Sequence, residues 1–155
     1  MVITSIKLDE ILGYHESVTS IVAETTPIMY KLGPHECTSL FLHNLLRLHP
    51  LHLFNTKNGY QLIAGFRAYE IAKLVWPTDS VIPCIVHDKS TLSDTEIENL
   101  AISDLLGSPL LFQFSKDYAQ NINKIKNSID KKRVKEIFKD ISSKQKIDAR
   151  NYDTL

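Results

Sequence analysis

The stretch Gly59-Tyr60-Gln61-Leu62-Ile63-Ala64-Gly65-Phe66-Arg67-Ala68-Tyr69-Glu70-Ile71-Ala72-Lys73 constrains this chain more than any other. An apolar strand, Tyr60 to Ala64, runs into a glycine, and a helical pattern begins directly after it with an arginine in its first turn. Such a junction suits a phosphate. The first N–H groups of a helix have no partner within it, the helix dipole favours negative charge there, and glycine lets an anion approach the backbone closely.

A chain of 155 residues reads as one folded unit large enough to bury a core without disulfides or a metal. Its two cysteines, Cys37 and Cys84, are far apart and have no ligand-type spacing, so neither a disulfide framework nor a zinc site is indicated. Met1 to Lys7 shows no basic region followed by an apolar run, and no uninterrupted apolar stretch approaches membrane-spanning length. The expectation is a cytoplasmic protein without a membrane partner. The formal net charge is zero but unevenly spread: residues 1–115 carry 7 Lys/Arg against 12 Asp/Glu, and residues 116–155 carry 11 against 6. A basic appendage of this kind serves phosphate backbones or acidic partners, or is a solvated helical face docked on an acidic body.

Ile3 to Leu8 reads as a first strand, and Val18 to Val22 as either a strand or the opening of a helix. Phe41, Leu45 and Leu48, with Leu42 and Leu46 beside them, predict an amphipathic helix over Thr38–Leu48 that Pro50 stops. Leu51–Phe54 and Tyr60–Ala64 form a hairpin around Asn55–Gly59. The helix after Gly65 runs to about Trp76, and Val81–Val86 reads as a buried strand. Ser93 or Asp94 caps a further helix that Gly107-Ser108-Pro109 closes. Two more apolar stripes, Tyr118/Ile122/Ile125/Ile129 and Val134/Ile137/Phe138/Ile141, predict a pair of C-terminal helices.

The segment 59–73 resembles the core motif of the ParB/sulfiredoxin superfamily, written YeLIaGeRRlrAAk in ParB proteins and GxHRyeAAk in many relatives. Leu45–Phe54 looks like the family's helix-to-strand passage, Val81–Val86 like its later "VP-hydrophobic" strand, and Ile6–Ile11 like its opening. Residues 1–112 are therefore expected to form an α/β (α+β) domain of ParB/sulfiredoxin-like fold, a small mixed sheet with flanking helices. Residues 113–155 would be a basic helical extension. The resemblance implies a nucleotide or phosphate site at Gly65, Phe66, Arg67 and Ala68, with CTP or ATP and Mg²⁺ as cofactors and a link to DNA partitioning or regulation. Gly65 and Arg67 match the motif, whereas Phe66 stands where the ParB form has a glutamate associated with hydrolysis and Ala68 where it has its second arginine. Binding with weak or absent hydrolysis follows.

Glu98-Asn99-Leu100 spells the start of the family's ENLxR element, with Ile102 at the arginine position; a second register sets Ala101–Leu106 against A-L-I-E-N-L. The reactive cysteine of sulfiredoxins is missing from the loop. His52, in the short strand before the hairpin, can project towards Gly65 and joins Glu98 and Asn99 as a secondary candidate. His43, His49 and His52 lack a same-face i, i+4 pair, so no metal site is expected. Lys131, Lys132, Arg133, Lys135 and Lys139 are the DNA-contact candidates, for sequence-independent binding. A genuine helix-turn-helix lacks its usual glycine here. The competing class is a non-enzymatic DNA- or protein-interaction module with a degenerate nucleotide site; a nuclease would need a carboxylate cluster that the sequence does not display.

Overall fold

The structure, a computed structural model, describes residues 2–25 and 38–107. The C-terminal extension lies outside the described residues, with Lys131, Lys132, Arg133, Lys135 and Lys139 in it. The described elements run in the order β1 (Ile3–Lys7), a 3₁₀ turn (Leu8–Glu10), β2 (Ile11–Tyr14), α1 (Glu16–Thr25), α2 (Ser39–Leu48), β3 (Leu51–Thr56) and β4 (Gly59–Ala64). They continue with α3 (Phe66–Val75), β5 (Val81–His87), α4 (Asp94–Ile102) and a π-type turn, Ser103–Gly107.

The five strands form one mixed sheet in the order β1-β5-β3-β4-β2. β1–β5 and β3–β4 are antiparallel, whereas β5–β3 and β4–β2 are parallel. Successive side chains of a strand point to opposite faces, so a strand with adjacent buried residues is covered on both. Leu53 and Phe54 in β3, and Leu62 and Ile63 in β4, meet that condition. Helices α2 and α3 pack on one another and against β5 and β3, while α1 packs on α4, which also reaches β4. Leu42, Leu46, Leu51, Leu53, Leu62, Ile63, Phe66, Ile82 and Ile97 are the fully enclosed large side chains at the centre.

Of the two readings of Val18–Val22 the structure takes the helix, with Val18 and Val22 one turn apart on its buried face. The sequence reading is corrected at two places. Ile11–Tyr14 is an additional edge strand beside β4. The buried stripe of α2 is Leu42 and Leu46, and Leu48 is 75% exposed. Of the two cap candidates at α4 the structure uses Ser93, in a reciprocal capping box with Glu96, and Thr38 caps α2 by accepting from the Phe41 N–H. Pro83 sits in β5 opposite Ser5 of β1, one residue before the ladder with β3 begins at Cys84.

A candidate anion-binding site at the head of helix α3

β4 delivers the chain into the sheet's centre and must then turn sharply into α3. Gly65 makes that turn with φ 90° and ψ 24°, the left-handed region in which side chains are strained. A Cβ there would stand 2.7 Å from Leu51 Cδ2, and Leu51 is fully buried. With no side chain of its own, Gly65 cannot cap α3, and an acceptor has to come from elsewhere. Asp104 supplies it. Its Oδ2 accepts from the Gly65 N–H at 2.8 Å and from the Phe66 N–H at 3.4 Å, across 39 residues of sequence. The N–H groups at which a phosphate was expected are thus held by a side-chain oxygen of the chain itself.

The four residues expected at this loop divide into two kinds. The side chains of Phe66 and Ala68 turn into the core, Phe66 being 1% exposed and edge-on to Tyr14 with ring centroids 5.8 Å apart. Only their backbone can meet a ligand. Arg67 is exposed beside the loop opening, and Gly65 is half-buried. One turn on, Glu70 accepts from the Tyr14 hydroxyl and from Lys73 Nζ, the latter at 3.4 Å, with Lys73 Nζ 5.1 Å from the Tyr69 ring centre. Burial pushes the Tyr14 hydroxyl up, and the Glu70 contact reinforces it. This group ties β2 to α3 and leaves Glu70 engaged.

His52 does lie near the loop, opposite Ala64 in the β3–β4 ladder. Its partner is His87, which the sequence reading missed. His52 stands opposite Ile85 on β5, and His87 is two residues further on the same face. His52 Nδ1 and His87 Nε2 are 3.0 Å apart, with ring planes 13° apart and centroids separated by 5.3 Å. The centroid spacing equals the hydrogen bond plus the two ring radii, so the imidazoles meet edge to edge and share one proton between facing nitrogens. Desolvation lowers the basicity of both, and His87 lowers that of His52 further; Asp104 opposes this at His52, and Asp88 opposes it at His87. The loop is therefore flanked by a neutral pair that gains charge only in acid.

Glu98 and Asn99 are exposed on α4. Asn99 lines an open groove of about 310 Å³ with Leu92, Glu96, Leu100 and Ser103. The contact to Gly65 is made instead by Asp104, which the second register of the ENLxR comparison sets against the family's glutamate. His43 and His49 are exposed, and no group of three His, Cys, Asp or Glu suited to a metal occurs among the described residues. Cys84 is buried, its thiol pushed up to about 12 by desolvation, which leaves it without nucleophilic character. Among the described residues three of the carboxylates are already engaged: Asp104 holds backbone N–H groups, Glu96 holds Ser93, and Glu70 holds Tyr14 and Lys73.

Neither a protein-family model nor a curated protein matches the sequence. A solved structure does match: C-terminally truncated chromosome-partitioning protein ParB from Caulobacter crescentus, complexed with CTP-γ-S. The identity is 14% and the TM-score 0.53, over 87% of this chain and 69% of that one. The fold is ParB-like. At this identity the likeness fixes the architecture, and the residues at the loop have to carry any functional argument. Among the described residues no helix is long and apolar enough to cross a membrane.

Proposed function

We propose that this chain is a ParB-like domain that binds a phosphate-bearing nucleotide, CTP first among the candidates, with the phosphates at Gly65, Phe66 and Arg67. The observation that carries the reading is the pair of backbone N–H groups at the head of α3 that already hold an anionic oxygen. Arg67 adds a guanidinium at the mouth, and the ParB neighbour holds CTP-γ-S. Hydrolysis is weak or absent in this reading. The phenyl ring at position 66 is enclosed in the core and can neither orient water nor accept a proton.

Residues 1–112 form the nucleotide module and residues 113–155 a basic extension that contacts DNA without sequence preference. The wider role is DNA partitioning or DNA-linked regulation. Calorimetric titration of the full chain with CTP, ATP and GTP, each with and without Mg²⁺, tests the reading. Saturable binding of at least one supports it, and no binding of any, at millimolar ligand, removes it.

A second reading is favoured by Asp104 itself. A carboxylate that permanently caps α3 would make the loop structural and the domain an interaction module. Retention on DNA at low salt with no nucleotide binding would select this alternative.

A further inference from the structure

Two backbone donors at the head of α3 have one acceptor, and it is charged. Gly65 and Phe66 N–H both point at Asp104 Oδ2, and the same two donors are those a phosphate oxygen would use. A carboxylate and a phosphate cannot share them. Both are anions, and each would lose its charge-assisted hydrogen bonds while facing a like charge in a half-buried site.

Asp104 reaches the loop from the π-type turn Ser103–Gly107, which directly follows α4. That turn is pinned on one side by buried Leu105 and on the other by the Ser103 hydroxyl, which donates to the Asn99 carbonyl at 2.7 Å. Asp104 lies between these two anchors, so a change of its rotamer can free the loop while both remain in place. The Asp104 charge favours the protonated form of His52.

We propose that Asp104 is an internal competitor for the anion site, a latch that closes the head of α3 until a phosphate displaces it. This rests on the reading that the loop binds phosphate. Wild-type affinity is then the loop's intrinsic affinity reduced by the cost of removing Asp104. Ligand entry is coupled to movement of the turn that carries it.

The test is calorimetric titration of the full-length wild type, Asp104→Asn and Asp104→Ala with pyrophosphate and with CTP, first without Mg²⁺. Asp104→Asn keeps the shape and removes the charge, and it is expected to bind pyrophosphate about tenfold more tightly than wild type. Asp104→Ala, its helix end uncapped, is expected to melt below wild type and to regain more stability from pyrophosphate than wild type does. If Asp104→Ala fails to fold, Asp104→Asn decides alone. Equal or weaker binding by Asp104→Asn, with binding present in wild type, overturns the latch and leaves the phosphate reading standing. No binding to any of the three proteins removes the phosphate reading and the latch with it.

Discussion

Gly65 answers to two demands at once, a left-handed backbone and close contact with Leu51. Gly65→Ala is therefore expected to destabilise the fold by about 1–3 kcal/mol, from strain at positive φ and overpacking against a buried leucine. Chemical denaturation measures this, and an unchanged midpoint would mean the turn relaxes freely. Phe66 supports a second expectation: phosphate release from CTP or ATP, followed over hours beside a ParB-type enzyme as positive control, stays near background. Robust turnover that disappears on mutating the Gly65 loop would refute it. The turn at Gly65 was legible because strand, glycine and helix are contiguous in sequence. Asp104 was legible only as one of two registers, since 39 residues separate it from the donors it caps and no periodicity links the two. His87 was invisible for the same reason, its partner being brought beside it by the parallel β3–β5 ladder.

The elements record where local propensity and tertiary packing agree and where they part. Val18, Thr19, Ile21 and Val22 give α1 a strand-like composition, yet Val18 and Val22 lie one helical turn apart and are both enclosed, so packing against α4 decides the outcome. β2 is four residues long and contains Gly13, too short for an alternating pattern to stand out. The helix starts at Thr38 and Ser93 were readable because their side chains do the capping locally. Ser93→Ala removes the hydroxyl that accepts from the Glu96 N–H, leaving the Ser93 backbone N–H to donate to Glu96, and should lower stability by about 1 kcal/mol, seen as a drop in Tm; no change would show that the helix end is held by its neighbours alone.

The imidazole pair couples β3 to β5 in a pH-dependent way. Both groups have basicities lowered below the ordinary value of 6.5, so below that pH the unfolded chain binds protons that the folded chain does not. Their contribution is complete above about pH 6.5 and is lost as pH falls from there through the folded-state values. A His52→Asn, His87→Gln double variant should show a flatter fall of Tm between pH 7 and 5 than wild type. Identical slopes would remove the pair from the acid response.

At the scale of the whole molecule, a compact mixed sheet is followed in sequence by a segment with 11 of the 18 Lys/Arg residues. If that segment contacts DNA, Lys131→Glu, Lys132→Glu and Arg133→Glu together should leave the melting temperature within a degree or two and abolish retention on DNA at low salt; wild-type retention should itself weaken steeply as salt rises. Unchanged retention in the triple variant would assign the basic residues to a solvated surface. The architecture was legible because element order, turn chemistry and the strand-glycine-helix motif agree across residues 3–106. The ligand rests on the head of α3. The most direct measurement is calorimetric titration of CTP into wild type and Arg67→Ala, read beside their melting temperatures. Saturable binding by wild type, weakened by about 1.5–3 kcal/mol in Arg67→Ala at unchanged Tm, is the expected result, whereas equal affinity in the two proteins, or no binding by wild type, would contradict a phosphate site at Gly65 and Arg67.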